Sequence, residues 1–339
     1  MLVLPLMQKI LLIQTAFIGD VVLATGVLEK LHEFYPEAAI DFLVRKGNES
    51  LFANHPFLNK VLIWQKKESK YKHLLQLLKT IRHSEYDRVV NLQRYAATGF
   101  LTAFCGAKET IGFDKNPFSL FFSKKIKHSF TSEGGIALHE IERNHLLIEH
   151  VTDNLVAKPV LYPDKGDMKA VESYQTKPYI CIAPASVWFT KQFPVDKWIS
   201  FINALPTHLA VYLIGAPTDN ILCDSIVKAT PEKQVINLAG KLSFLQSAAL
   251  QKKAIMNYVN DSAPMHFASS VNAPVTAVYC STVASFGYGP LSEKSFVVEV
   301  STPLICRPCG IHGKKACPHN HFDCANKITN QQLLSVVSS

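Results

Sequence analysis

The sequence predicts an α/β protein built from two doubly wound parallel-sheet domains that face each other across a cleft. Three observations carry that expectation. Apolar runs of strand length alternate with segments of helical periodicity along the whole chain, as in parallel sheets covered by helices. Each half opens in the same way, with an apolar run, a short turn and a helix. Between the halves lies the stretch 152–178, which has little periodicity and contains Pro159, Pro163, Gly166 and Pro178. The expected division is a first domain over 1–155, a linker over 156–178 and a second domain over 179–339.

The first element is the clearest. Ile10-Leu11-Leu12-Ile13 is an unbroken apolar run that fits a strand buried on both faces. After Phe17-Ile18-Gly19-Asp20, apolar residues recur at helical spacing (Val22, Leu23, Val27, Leu28, Leu31, Phe34), and Pro36 closes the helix. First-half strands are expected at 9–14, 40–44, 61–64 and 88–92, and helices at 20–35, 71–83 and 96–105, with a long one at 139–151. In the second half, strands are expected at 179–183, 210–214, 235–238, 255–259 and 275–279. Helices start there from Pro194 and Thr218 and cover 243–251 and 262–270. The chain contains no G-x-G-x-x-G and no G-x-x-x-x-G-K-[ST], so neither a dinucleotide fingerprint nor a P-loop is present.

Chemistry is expected where strands pass into helices. Asp20 sits at such a point, where unpaired backbone N–H groups and the helix dipole favour negative charge. It is expected to be ionised and aimed at the crevice above the strand ends, unless it only caps its own helix. Lys191 holds the matching place in the second half, within Trp188-Phe189-Thr190-Lys191-Gln192-Phe193-Pro194. Its flexible ammonium suits a phosphate or diphosphate; the plain alternative is an exposed loop lysine. In Asn260-Asp261-Ser262-Ala263-Pro264-Met265-His266, Asp261 or Ser262 can cap the next helix and leave amides free for an anion. His266 either faces the same ligand or is a hydrogen-bonded interior residue.

Length and charge narrow the class. The chain has 339 residues, 48% hydrophobic and 18% charged, with a net charge of +8. That suits about two globular domains, and no run reaches the ~18 apolar residues of a transmembrane helix. Met1 to Met7 lack the basic region and cleavage site of a signal peptide, Met7 is itself a candidate start, and a cytoplasmic location is expected. Lys66, Lys67, Lys70, Lys72, Lys79 and Arg82 crowd one segment; Lys124, Lys125 and Lys127 form a second cluster. These are solvated helix faces, or surfaces for a polyanion or an anionic membrane. Aromatics are not interleaved as in a single-strand groove, so no nucleic-acid partner is expected.

Four of the eight cysteines fall in the tail: Cys306-Arg307-Pro308-Cys309, then Cys317 and Cys324, with His312, His319 and His321 among them. The first pair has zinc-like spacing, whereas Cys317 and Cys324 are not a tight pair. The pattern admits a structural zinc, reduced thiols or a disulfide, the last disfavoured in the cytosol. Cys105, Cys181, Cys223 and Cys280 stand singly in apolar surroundings and read as core residues.

Taken together, Phe17-Ile18-Gly19-Asp20-Val21, the Trp188–Pro194 motif, Asp261-Ser262 with Met265-His266, and the Cys-rich tail resemble the heptosyltransferase family over nearly the whole chain. The resemblance implies the GT-B architecture: two Rossmann-like domains, the first mainly binding the acceptor and the second the nucleotide sugar. It implies inverting transfer of heptose from ADP-heptose to the inner core of lipopolysaccharide, at the inner face of the inner membrane. Asp20 would be the catalytic base and Lys191 a contact to the donor diphosphate, with the amides around Asp261 and Ser262 at the phosphates. Gly19, Thr190, Ala263 and His266 complete the implied substrate-binding set. The basic clusters of the first domain would face an acceptor bearing anionic groups. No cofactor is expected for catalysis, since no carboxylate pair has metal-binding spacing. The chain departs from the family at Ala185 and Ala263, where glycine is usual, and at Cys280-Ser281, where Gly-Pro is common. Two readings stay open beside it: a GT-B transferase using a UDP- or GDP-sugar on another glycan, and a zinc-containing nucleic-acid-binding protein.

Overall fold

The computed structural model describes residues 8–132 and 134–337. The stretch Met1 to Met7, with its reading as a start rather than a signal, lies outside the described residues. The chain divides into two compact units, Met1–Tyr162 and Pro163–Ser339.

In the first unit the elements run β1 (Lys9–Ile13), α1 (Ile18–Phe34), β2 (Ala39–Arg45), β3 (Leu58–Trp64), α2 (Lys70–Ser84) and β4 (Arg88–Asn91). They continue with α3 (Ala96–Phe104), β5 (Glu109–Phe113), β6 (Lys124–Ile126) and α4 (Glu140–His145). The sheet order is β3-β2-β1-β4-β5-β6, with every pairing parallel. The apolar run of β1 therefore takes a central place, and Ile10 to Ile13 are fully buried between helices on both faces.

The second unit repeats the order of the first. Its elements are α5 (Lys165–Ala170), β7 (Tyr179–Ala183), α6 (Val195–Ala204), β8 (Ala210–Leu213), α7 (Asn220–Ala229) and β9 (Val235–Asn237). Then follow α8 (Phe244–Lys252), β10 (Met256–Asn260), α9 (Ala263–Ser270), β11 (Val275–Tyr279), β12 (Ser295–Glu299), α10 (Asp323–Asn326) and α11 (Asn330–Val337). The all-parallel order is β12-β11-β10-β7-β8-β9. On one face the core is aromatic: Trp198 stands edge-on to Phe193 at 5.0 Å, and Phe201 packs on Tyr258 at 4.7 Å between ring centres.

Several expectations need correction. The helix expected at 139–151 stops at His145; the chain then tightens into i→i+3 bonds, from Leu147 N–H to Asn144 O and from Ile148 N–H to His145 O. Leu147 and Ile148 are both fully buried although adjacent, which a regular helix turn separates by about 100°. Strands β5, β6 and β12 were not expected. Lys124 and Lys125, read as part of a basic cluster, lie on the edge strand β6, where lysines discourage further pairing. Within 156–178 the chain is packed rather than free. Val160 N–H donates to Thr25 Oγ1 and Tyr162 OH to Glu29 in the first unit, while Val171 is fully buried in the core of the second.

Asn116 braces the loops above β4 and β5: its Nδ2 donates to Gln93 O and Tyr95 O, and its Oδ1 accepts from Phe118 N–H. A Cβ on Gly99 of α3 would stand 1.9 Å from that Oδ1. Gly99→Ala is therefore expected to lower stability by roughly 1–3 kcal/mol, the usual range for overpacking, because Asn116 cannot retreat without losing its bonds. Thermal denaturation of the variant checks this.

Candidate active site

In an open parallel sheet the ligand crevice lies beyond the carboxyl ends of the strands, where neighbouring strands send their crossovers to opposite faces. These switch points fall between β1 and β4 in the first unit and between β7 and β10 in the second. In the first unit the two strand ends are tied together, as Thr15 donates both its N–H (3.1 Å) and its hydroxyl (2.7 Å) to Gln93 Oε1. Gly19 and Asp20 follow in the first turn of α1, half-buried, with no side-chain cap at Phe17.

Asp20 is not the plainly ionised residue that the helix dipole suggested. Burial raises its pKa, and the negative charge of Glu140 on α4 raises it further. The amides of Asp20 and Phe17, and the more distant Arg45, pull the other way, and the balance lies at about 6. The carboxylate form still predominates at neutral pH, but it is a stronger base than an ordinary aspartate. Glu140 is itself held by Arg143, whose Nε donates to Glu140 Oε2 at 2.9 Å. Neither Glu140 nor Arg45 was singled out from sequence; both come from elements distant along the chain, and no local pattern marks them.

In the second unit, Asn260 at the end of β10 organises the crevice. Its Oδ1 accepts from Phe193 N–H (3.0 Å) and its Nδ2 donates to Pro184 O (2.8 Å), which fixes both ends of the turn carrying Lys191. Lys191 is not an exposed loop residue: its Nζ lies 2.6 Å from Asp261 Oδ2, with both side chains largely buried. Thr282 Oγ1 donates to the same carboxylate oxygen at 2.7 Å. Asp261 thus serves Lys191 and Thr282 rather than capping α9. Ser262 occupies the N-cap position without a side-chain cap bond, its hydroxyl donating instead to Asn260 O at 3.3 Å. In the first turn of α9 Pro264 has no N–H and Met265 N–H donates to Ser262 O at 3.1 Å, which leaves the amide of Ala263 without a side-chain cap. His266 is buried one turn further on.

The tail is joined to this turn by hydrogen bonds. Thr190 N–H donates to Lys314 O (3.1 Å), and Thr190 Oγ1 accepts from Lys314 N–H (2.8 Å) and from the Ser281 hydroxyl (2.9 Å). The hydroxyl oxygen of Thr190 is thus engaged by the tail. Arg307 donates to Cys280 O and Thr282 O, each at 2.7 Å, and pairs with Glu299. Ser281, Thr282 and Arg307 were not foreseen as members of this network. Their only sequence signal was position, after a buried strand and within a polar tail.

Among the described residues no three His, Cys, Asp or Glu side chains form a metal-holding group. Cys306, Cys309, Cys317 and Cys324 are free thiols in one neighbourhood: burial, then Cys309, Cys317 and Cys306, pushes Cys324 up to about 11. Cys306 Sγ stands 3.8 Å from His321 Nε2, and the Cys309 thiol donates to Cys306 O at 3.3 Å.

No helix among the described residues is long and apolar enough to cross a membrane. The pattern of glycosyltransferase family 9 (heptosyltransferase) matches residues 74–317. The chain is 28% identical over 281 residues to lipopolysaccharide heptosyltransferase 3 of Escherichia coli K12, covering 78% of this chain and 80% of that one. Among solved structures it resembles the E. coli ADP-heptose lipopolysaccharide heptosyltransferase II, with a TM-score of 0.80, 21% identity and 98% of each chain covered. A family 9 glycosyltransferase of Veillonella parvula gives a TM-score of 0.84 at 19% identity, over 98% of this chain and 96% of that one. With its two six-stranded parallel sheets and a family match across more than half its length, this chain is a glycosyltransferase and belongs to glycosyltransferase family 9, the heptosyltransferases.

Proposed function

We propose that the chain transfers heptose from ADP-heptose to the inner core of lipopolysaccharide with inversion at the anomeric carbon, Asp20 acting as general base. The observation that carries the reading is Asp20 itself: a half-buried carboxylate at the switch point of the first sheet, with its pKa raised to about 6. The names of its relatives supply the donor and the acceptor class. An acceptor hydroxyl attacks the anomeric carbon as the bond from that carbon to the diphosphate oxygen breaks. The hydroxyl proton passes to Asp20, and ADP leaves with the bonding electron pair.

The departing diphosphate gains negative charge, and the second unit has the groups to meet it. Lys191 spends one of its three N–H donors on Asp261 and keeps two for phosphate oxygens. The Ala263 amide and the positive end of the α9 dipole offer stabilisation of the kind that an oxyanion hole gives an acyl intermediate. Thr282 keeps the shared carboxylate of Asp261 in place. The acceptor, with its anionic groups, belongs in this proposal to the first unit and is met at the membrane surface.

Transfer from ADP-heptose to a core-lipid acceptor, followed by mass spectrometry of the product, tests the proposal. Only ADP among ADP, UDP and GDP is expected to raise the melting temperature strongly by linkage; a stronger shift with UDP or GDP points to another sugar nucleotide. Asp20→Asn is expected to cost on the order of 10²–10⁴-fold in turnover. The same change should not destabilise the fold. A carboxyl whose folded pKa is raised from 3.8 to about 6 loses stability as pH rises through that window, so at pH 7 the neutral amide removes a cost. A lower melting temperature with activity retained would mark Asp20 as a helix cap only.

The pH profile gives an independent check. kcat/KM is expected to fall on the acid side with a midpoint near 6, well above that of an unperturbed aspartate. Glu140→Gln removes a charge that raises Asp20, so this acid limb should move to lower pH. An acid limb that stays in place would mean that Asp20 is not the titrating group.

A further inference from the structure

Beyond β11 the chain leaves the sheet in a short buried segment. Tyr279, the last residue of that strand, stands in register with Glu299 of β12, and Cys280, Ser281 and Thr282 beyond it are all buried. Buried carbonyls need donors, and the tail supplies all three. Cys280 O accepts from Arg307 Nε at 2.7 Å, Ser281 O from Cys309 N–H at 2.9 Å, and Thr282 O from Arg307 Nη2 at 2.7 Å. One guanidinium therefore serves two of the three. Its side chain is 11% exposed, and its charge is met by Glu299 Oε2 at 2.5 Å. Arg307 is thus anchored on the last rung of the sheet and clamps the segment that leaves it.

Two residues of this segment lead to Lys191 by separate routes. Ser281 holds the backbone of the lysine turn: its N–H donates to Thr190 O at 3.2 Å and its hydroxyl to Thr190 Oγ1 at 2.9 Å, one residue before Lys191. Thr282 holds the charge: its hydroxyl donates at 2.7 Å to Asp261 Oδ2, the oxygen on which Lys191 Nζ lies at 2.6 Å. A proline at 281, the residue common in the family there, has neither an N–H nor a hydroxyl and could make neither bond to Thr190. The first route therefore belongs to this chain and not to the family pattern. A lysine without such support has a freely rotating stem that must be ordered when a ligand arrives, and that ordering costs affinity.

We propose that Arg307 is a positioning residue that, through Ser281 and Thr282, fixes Lys191 for the donor diphosphate. It rests on the phosphate-binding role proposed for Lys191 above and adds to it the distant group that holds the lysine in place. Arg307 acts on the donor only through other residues, so its removal is felt as lost order at Lys191. The planar fork of arginine suits the task, since one guanidinium reaches two carbonyls and a carboxylate at once.

Two measurements on the full chain test this: calorimetry with ADP and with adenosine, and acylation of Lys191 by acetic anhydride in the ligand-free protein, read by mass spectrometry. Arg307→Met removes the donors, and Glu299, 43% exposed, stays solvated without its partner. The variant is expected to bind ADP about tenfold more weakly, the worth of one charge-assisted hydrogen bond, and adenosine as before. Lys191 should be acylated faster, because its Nζ is no longer held against Asp261. Arg307→Lys keeps the charge but cannot bridge two carbonyls, so it should recover only part of the ADP affinity; it also gives the readout if Arg307→Met does not fold. Ser281→Ala and Thr282→Val cut the two routes singly and should each show a smaller loss of the same kind. In the Arg307→Met or Arg307→Lys background they should add little, because the segment that carries them is already loose. Equal losses for ADP and adenosine, additive losses in the double variants, or an unchanged rate of Lys191 acylation would each overturn the role of Arg307. If Lys191→Ala leaves ADP affinity intact while the Arg307 variants speed acylation of Lys191, the phosphate reading falls and the positioning of Lys191 by Arg307 stands.

Discussion

Between β1 and β4, and again between β7 and β10, neighbouring parallel strands send the chain to opposite faces of the sheet. No helix can cover both strand ends there, so backbone and side-chain polar groups face an open crevice. Each unit meets this constraint by tying the two strand ends together with a buried amide side chain. Gln93 accepts from the loop after β1, and Asn260 binds Pro184 O and Phe193 N–H beyond β7. The groups proposed for chemistry hang from these ties: Asp20 from the first, Lys191 and Asp261 from the second. Without the ties both turns would be free to move, and the electrostatic arrangement around them would have no fixed geometry.

Electrostatics divides the labour between the two units. In the first, an acid is made more basic by burial and a neighbouring negative charge. In the second, a lysine and an aspartate are held as a pair, with Thr282 on the shared oxygen. A bare buried ammonium would be costly, whereas a paired one has its charge offset and still has donors to offer. Lys66 shows the contrast. Burial, with Arg45 and Lys70 nearby, lowers it to about 8, and no carboxylate offsets the effect; its Nζ donates to Thr15 O and lies over the Trp64 ring.

The fold was legible at most of the buried strands, but not at β5, where Glu109, Thr110 and Gly112 break the apolar run. β1 and β7 read as apolar runs because both of their faces are covered; β10 and β11 are interrupted by Asn257 and Thr276, yet all four were found within about one residue. Of the edge strands, β3 and β9 were expected, whereas β6 and β12 were not. β6 is three residues with two lysines, and β12 carries polar residues at both ends, so neither shows the apolar run of a central strand. The positions of Asp20, Lys191 and Asp261 at strand ends followed from the alternation of elements. Their ionisation and pairing did not, since Glu140, Thr282 and Asn260 act on them through space.

The contacts seen to hold the tail in place come from groups other than its thiols. Arg307 spans the carbonyls of Cys280 and Thr282, Cys309 N–H donates to Ser281 O, and Lys314 exchanges two hydrogen bonds with Thr190. A Cβ on Gly313 would stand 3.1 Å from both Lys191 Cγ and Thr190 Oγ1, so the tail backbone lies directly on the lysine turn. At Gly313 φ is also +75°, so glycine is required there both for the close approach and for the backbone conformation. The tail is therefore part of the wall that positions Lys191. Anything that rearranged its thiols, whether a metal or oxidation, would act on the Lys191 turn through Thr190 and Ser281.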